Sequence, residues 1–154
     1  MNNKQNIPKL VNAKINDEST PLHIAAATNN LELLNALIDN GADVNITNND
    51  EMSALILASN AGHRQIVNRL ISAGASLDLT DKKGGSALYY ALCSEHEVIA
   101  LTLIDAGANP TQQDQEGTTP LIAASIKGYT RVVTKLIAKG VDLNSINNLS
   151  LIHI

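Results

Sequence analysis

The chain of 154 residues contains neither Phe nor Trp, and three Tyr make up its 2% of aromatic residues. A hydrophobic core must therefore be built from Leu, Ile, Val and Ala, the main contributors to a 44% hydrophobic fraction typical of folded proteins. The single cysteine, Cys93, excludes an intrachain disulfide framework and a zinc site with several cysteine ligands. The length fits one domain, and we expect it in a reducing compartment.

The sequence also lacks an excess of positive charge and any long apolar run. Lys and Arg number 11 against 15 Asp and Glu, a formal net charge of −4. This balance excludes the basic surface expected of a protein that follows nucleic-acid phosphates, so we expect no nucleic-acid partner. The first ten residues contain no apolar stretch typical of a signal peptide, and no segment is long enough to span a bilayer. We therefore expect a cytoplasmic protein without a membrane partner.

What the sequence does contain is a repeat of 33 residues. Five kinds of position carry the same residue in four successive registers: Leu22, Leu55, Leu88 and Leu121; Ala25, Ala58, Ala91 and Ala124; Leu37, Leu70, Leu103 and Leu136; Ile38, Ile71, Ile104 and Ile137; Gly41, Gly74, Gly107 and Gly140. No insertion interrupts this spacing. A fixed period of this length is the signature of stacked structural units, each too small to bury its apolar face alone.

Each unit predicts a turn followed by two helices. A hydroxyl residue precedes each first helix, where it can cap the free backbone N–H groups: Thr20, Ser53, Ser86 and Thr119. A second helix is predicted from Leu31 to Asn40, with Leu33, Leu34, Leu37 and Ile38 on one buried face. Gly41 and its equivalents end that helix, in a left-handed conformation that glycine adopts at little cost.

These residues resemble the ankyrin-repeat family. Thr20-Pro-Leu-His-Ile-Ala25 fits the family's motif, and the sequences of residues 41–45 and 140–144 are similar to the end of its repeat. The motif histidine is present only as His23; the later repeats carry Ile56, Tyr89 and Ile122 instead. The resemblance implies an all-α solenoid of stacked helix-turn-helix units joined by extended turn or hairpin connections.

The resemblance also sets the expected boundaries. The repeats would span residues 15–47, 48–80, 81–113 and 114–146, between an N-terminal partial or capping segment at 1–14 and a C-terminal capping segment at 147–154. The apolar residues Leu149, Leu151, Ile152 and Ile154 are interpreted as a lid on repeat four, since a stacked array needs capped ends. The alternative is that the chain is a fragment of a longer array, or that its apolar end drives self-association.

Few residues could carry chemistry. Cys93 and His96 lie close together in sequence and could form a nucleophile pair or part of a metal site. The competing interpretation makes Cys93 a small residue facing a groove and His96 a residue that caps or packs at a helix start, as does His63. His23 is expected to hydrogen-bond within its own repeat, and His153 is unassigned. We expect no enzyme activity, no metal and no cofactor.

For function, the resemblance implies a protein partner held on a concave surface by turn tips and the ends of the first helices. The positions carried over as binding residues are Asn49, Asp50, Met52, Asn60, Lys82, Lys83, Tyr89, Cys93, Gln115, Glu116, Thr118, Ile126 and Lys127. These positions vary between repeats while the repeated core positions do not, which fits a binding surface and equally a surface under no constraint. We expect a monomer that binds a protein. Family analogy leaves open a second location, that of an effector secreted by a bacterium.

Repeat three differs most from the others. Tyr89 and Tyr90 lie in its first helix, and tyrosine is favoured at binding hot spots. Tyr90 shares a register with Ile24 and Leu57 and is expected to face the core, whereas Tyr89 is expected nearer the groove. The basic turn Lys82-Lys83 lies between acidic Asp50 and Glu116, which predicts a partner surface of mixed charge.

Overall fold

The computed structural model describes residues 10–144 and contains four pairs of antiparallel helices connected by turns. The first helices of the pairs are α1 (Pro21–Ala27), α3 (Ala54–Ala61), α5 (Ala87–Cys93) and α7 (Pro120–Lys127). The second helices are α2 (Leu31–Asp39), α4 (Arg64–Ser72), α6 (Glu97–Asp105) and α8 (Thr130–Ala138). The architecture is the expected all-α solenoid. Helix α2 ends one residue earlier than predicted, because Asn40 forms its C-cap.

Three of the four hydroxyl caps and the four glycines at the helix ends act as the sequence predicts, whereas the Thr20 hydroxyl lies 2.9 Å from His23 Nδ1. The hydroxyls of Ser53, Ser86 and Thr119 each accept a hydrogen bond of 3.2 Å from the backbone N–H three residues later. The four glycines that follow the second helices all have left-handed backbone angles, with φ between 80° and 101°: Gly41, Gly74, Gly107 and Gly140. A residue without Cβ reaches this conformation without strain.

Two layers of helices build the core. The first helices α1, α3, α5 and α7 pack in succession, as do the second helices α2, α4, α6 and α8. The repeated leucines and alanines are buried between the layers. The repeated isoleucines are not equally buried, which corrects the expectation of one buried face on each second helix. Ile104 is 1% exposed but Ile137 is 47% exposed, and Leu33 also lies at the surface.

Hydrogen bonds between neighbouring turns hold the tips in register. Isolated antiparallel bridges join Thr47 to Ser53 and Thr80 to Ser86 within the turns that precede α3 and α5. The tips are then linked by backbone N–H···O bonds, from Asn49 to Asp17 (2.9 Å), from Lys82 to Asp50 (3.1 Å) and from Gln115 to Lys83 (3.0 Å). These bonds use the backbone alone, so the side chains at the tips can vary without loss of the ladder.

A second ladder runs along the repeat ends. Asn12 Oδ1 accepts from the Asp43 N–H at 2.9 Å, and Asn45 Oδ1 accepts from the Ser76 N–H at 2.8 Å. Residue 12 thus makes the same contact as its equivalent one repeat later. The predicted lid (Leu149, Leu151, Ile152 and Ile154), His153 and most of the predicted end segments lie outside the described residues. Between residues 10 and 144, no helix has the length and apolar character needed to cross a membrane.

Candidate functional site

A cavity of about 520 Å³ opens between the first helix of repeat three and the turn of repeat four. We call it the repeat 3–4 cavity, and its lining residues are Asn60, Lys83, Tyr89, Tyr90, Cys93, Ser94, Asp114, Gln115 and Glu116. Six of them belong to the binding residues predicted from the sequence: Asn60, Lys83, Tyr89, Cys93, Gln115 and Glu116. Sequence positions far apart in the chain are thereby brought to one place.

The two tyrosines form one wall of the cavity. Their ring centroids are 5.4 Å apart and the ring planes are 86° to one another, an edge-to-face arrangement. The Tyr90 hydroxyl donates to Asp81 Oδ2 at 2.5 Å. The Asp114 and Cys93 side chains lie near enough to the Tyr89 hydroxyl to act on its pKa. Tyr90 is therefore tied through its hydroxyl to a carboxylate of its own turn, and Tyr89 lies beside a carboxylate of the next turn.

Burial and these carboxylates also govern how the tyrosines ionise. Burial, with the hydrogen bond to Asp81, raises the pKa of Tyr90 to about 12. Burial and the neighbouring Cys93 and Asp114 side chains raise the pKa of Tyr89 well above its usual value. Both hydroxyls consequently stay protonated at neutral pH and act as hydrogen-bond donors.

The expectation that Tyr90 faces the core is wrong in part. Tyr90 packs against the core and also lines the cavity beside Tyr89. The equivalent position does not face the core in every repeat, since Ile24 in repeat one is 43% exposed. In repeats one and two the position equivalent to Tyr89 is more buried than the position equivalent to Tyr90. It holds His23 in repeat one and Ile56 in repeat two.

Gly85 makes room for the two rings. A Cβ atom at this position would lie 2.7 Å from Tyr90 Cε2 and 3.2 Å from Tyr89 Cδ1, the first of which is shorter than real contacts allow. The equivalent positions in the other repeats carry side chains: Ser19, Met52 and Thr118. Gly85 was not among the predicted site residues, although a glycine facing two adjacent tyrosines was a signal that could have identified it.

Two aspartates that the sequence interpretation missed shape the turns on either side of the cavity. Asp81 Oδ1 accepts from the N–H groups of Lys83 (3.0 Å) and Gly85 (2.8 Å). Asp114 Oδ1 makes the equivalent bonds one repeat later, with Glu116 (2.9 Å) and Thr118 (2.8 Å). Aspartate favours such turns because its side chain can accept from backbone N–H groups a few residues ahead.

A contact between repeats fixes the far side of the cavity. The Ser94 hydroxyl donates to Asn60 Oδ1 at 2.6 Å. Ser94 follows the last residue of α5, and Asn60 lies near the end of α3. This bond joins the ends of two neighbouring first helices and holds the Asn60 amide in place.

The remaining predicted binding residues do not line the cavity: Asn49, Asp50, Met52, Lys82, Thr118, Ile126 and Lys127. Asn49, Asp50 and Lys82 are exposed on neighbouring tips, whereas Met52 and Thr118 are half-buried in the turns. Ile126 is 75% exposed near the end of α7. Next to it, Lys127 Nζ lies 3.2 Å from Glu95 Oε1. These seven residues extend around the cavity and remain predictions as binding residues.

Cys93 and His96 do not form an activated pair. Burial raises the pKa of the Cys93 thiol, which leaves less of the reactive thiolate at neutral pH. The His96 imidazole is used elsewhere, because its Nε2 lies 3.1 Å from the Asn60 carbonyl oxygen and must carry the proton in that bond. Among residues 10–144, no group of three or more His, Cys, Asp or Glu side chains is arranged to hold a metal ion.

His63 and His96 were expected to cap or to pack at a helix start, and the structure excludes the first of these two roles. Both precede a second helix, but neither side chain accepts from that helix. Each instead donates from Nε2 to a carbonyl at the end of the preceding repeat's first helix, at 3.1 Å; His63 bonds Ala27 and His96 bonds Asn60. These histidines therefore connect repeats.

His23 bonds within its own repeat, as expected, and also across to the next one. Its Nδ1 accepts from the Thr20 N–H at 3.0 Å, while Nε2 lies 3.1 Å from the Met52 carbonyl oxygen. The carbonyl can only accept, so Nε2 carries the proton and the ring is neutral. Burial lowers the pKa of His23 and favours this neutral form.

Paired helices stacked in two layers, with turn tips linked in a ladder, define a helical repeat solenoid. The family model for ankyrin repeats matches the chain in three overlapping copies, at residues 2–81, 22–114 and 55–147. The chain therefore belongs to the ankyrin-repeat family. Ankyrin repeats are generally protein–protein interaction modules and are typically non-catalytic. No curated protein matches the sequence.

Proposed function

We propose that this protein is a non-catalytic module that binds a protein partner through its concave surface, here defined as the turn tips together with the ends of the first helices. The repeat 3–4 cavity is the centre of this surface. The observation that carries the proposal is the pairing of Tyr89 and Tyr90 in an open cavity bordered by side chains of both charge signs.

The energetics of protein interfaces support this choice of centre. Binding energy is concentrated in a few anchors, and tyrosine is enriched among them because its ring buries a large area while its hydroxyl stays polar. The Tyr90 hydroxyl is already held by the Asp81 carboxylate and its ring packs edge-to-face against Tyr89, so a partner would meet rings with reduced freedom left to lose. Preorganisation of this kind strengthens binding by reducing the entropy lost on association.

The backbone ladder between tips supports the same proposal. The tips of repeats one to four are linked in succession through the backbone N–H groups of Asn49, Lys82 and Gln115. Their side chains are therefore presented at fixed spacing, although the side chains themselves make few contacts that maintain the fold. A surface that is rigid in backbone and variable in side chain suits recognition of a specific partner.

An affinity pull-down with three forms of the protein tests the proposal. The variant Tyr89→Ala, Lys82→Glu removes a ring and reverses a charge on the concave surface. The matched control, Val98→Ala, Arg131→Glu, makes comparable changes at exposed positions of the second helices. We expect a partner that wild type and control retain equally and that the concave-surface variant loses. Equal retention by all three forms would refute the assignment of the binding surface.

A further inference from the structure

We propose that the repeat 3–4 cavity receives the side chain of a basic residue, arginine or lysine, contributed by the protein partner. The inference rests on the proposed function and specifies what its central site recognises. It is argued from the tyrosine rings, from the balance of charge around the cavity and from the cavity's size.

The rings provide the first part of the argument. A cation is attracted to the face of an aromatic ring, and the attraction grows as the ring becomes richer in electrons. The Tyr90 hydroxyl donates a hydrogen bond to the Asp81 carboxylate at 2.5 Å. A hydroxyl that donates to a carboxylate is polarised toward the phenolate, which adds electron density to its ring. The Tyr90 ring is thus a better cation acceptor than a free tyrosine, and the Tyr89 ring lies next to it.

The charges around the cavity provide the second part. The carboxylates of Asp114 and Glu116 line it, and the Asp81 carboxylate accepts a hydrogen bond from Tyr90, which is also in the lining. Lys83 is the single cationic side chain among the lining residues. Within residues 10–144, neither Glu116 nor Lys83 takes part in an ion pair. Glu116 is therefore available to a cation from outside, while Lys83 is exposed and can turn toward the solvent.

Helix ends add to the negative potential. Asn60 lies near the carboxyl end of α3, and Cys93 and Ser94 lie at the carboxyl end of α5. The last carbonyl groups of a helix carry a partial negative charge that favours nearby cations. Two such ends border the same cavity.

The size of the cavity fits an extended side chain with its charged end group. Its 520 Å³ falls within the range of about 300–1,000 Å³ typical of ligand pockets. A basic side chain entering from the open side would place its charged end group against the rings and beside Glu116. A neutral side chain of the same shape would gain the contact with the rings but not the attraction to the carboxylate.

Titration followed by amide NMR spectra tests the inference without the natural partner. The probes are N-acetyl-arginine amide and N-acetyl-citrulline amide, which share a shape and differ in charge. We expect saturable shifts at Gly85, Tyr89 and Glu116 with the arginine probe, and binding about tenfold weaker with the citrulline probe. Absent shifts, or equal affinity for both probes, would overturn the inference.

Two exposed substitutions sharpen this test while leaving the core intact. Glu116→Gln should weaken binding of the arginine probe about threefold, and Lys83→Gln should strengthen it by a similar factor. The matched controls Glu32→Gln and Arg131→Gln change the same charges on the second helices and should have no effect. If Lys83→Gln instead weakens binding of the arginine probe, the charge around the cavity does not govern binding and the inference fails.

Failure of this inference and failure of the proposed function give different results. A partner could depend on Tyr89 and Lys82 in the pull-down and yet keep its binding when all of its arginine and lysine side chains are replaced. That result would leave the proposed function in place. The same result would refute a basic side chain as the occupant of the cavity.

Discussion

Repeats one and three share a backbone plan but use the same position of the first helix in opposite ways. In repeat one the position holds His23, 2% exposed, with both ring nitrogens in hydrogen bonds. In repeat three it holds Tyr89, half-buried beside an open cavity. One helix position therefore maintains the fold in one repeat and lines an open cavity in another, where we propose a binding surface.

The turn opposite this position makes the difference possible. In repeat one Ser19 is buried, and its hydroxyl donates to Asp17 Oδ2 at 2.9 Å. In repeat three Gly85 has no side chain, and the tyrosine rings occupy the space that a Cβ atom would need. Four experiments, taken in order of decreasing effect, test how the repeats differ.

The largest effect is expected from truncating the repeated isoleucine. Ile104→Ala in repeat three should cost about 2–5 kcal/mol of unfolding free energy, because the side chain is 1% exposed and its loss leaves a cavity. Ile38→Ala in repeat one should cost clearly less, since Ile38 is only partly buried. Urea denaturation of both variants measures the difference. Equal losses would contradict it.

Gly85→Ala should cost about 1–3 kcal/mol, because the new Cβ overlaps the Tyr90 ring. The overlap should disappear when Tyr90 is also shortened. In a double-mutant cycle, Gly85→Ala should therefore be markedly less harmful in a Tyr90→Ala background than in wild type. Additive losses would show that the glycine serves some purpose other than making room for the ring.

Ser59→Ala is expected to stabilise the protein by about 1 kcal/mol. The Ser59 hydroxyl is buried and has no hydrogen-bond partner, and repeat one has Ala26 at this position. Ser125 is the matched control, because its hydroxyl donates to the Leu121 carbonyl at 2.7 Å. Ser125→Ala should not stabilise. Thermal melts of both variants check the prediction, and a gain of equal size from both would disprove it.

The smallest effect concerns pH. His23 has a lowered pKa in the folded protein, so the unfolded chain, with a value near 6.5, binds a proton more readily. The contribution of His23 to the free energy of unfolding is therefore complete above about pH 6.5. It declines as the pH falls from there through the lowered pKa of the folded protein. His23→Gln, which keeps a side chain able to cap but not to titrate, should flatten this part of the stability profile. If His23→Gln leaves the dependence of stability on pH unchanged, the lowered pKa assigned to His23 is contradicted.

The repeated residues made much of the fold predictable. The hydroxyl caps and the left-handed glycines follow from local chemistry that recurs every 33 residues, so Ser53 and Gly74 behave as predicted. The orientation of the first helices was less predictable. Each makes only about two turns, and a side chain such as Ile24 or Tyr90 can then be assigned to either face. Burial of the isoleucines depends on neighbouring repeats, which no single position encodes.

The candidate site was partly predictable for a similar reason. The resemblance located Tyr89, Lys83 and Glu116 by position within the repeat. The contributions of Asp81 and Gly85 arise from contacts between the turn and the following helix, and these depend on the size of the side chains in that repeat alone. Such contacts become visible only once the turn and the rings are placed together.

Site-specific photo-crosslinking tests the central claim most directly. A photoreactive amino acid replaces either Glu116, beside the cavity, or Gln65, exposed on the second helix of repeat two. With a partner bound, the account predicts a strong crosslink from position 116 that Tyr89→Ala abolishes, and little or none from position 65. A partner that crosslinks from position 65 and not from position 116 would contradict it.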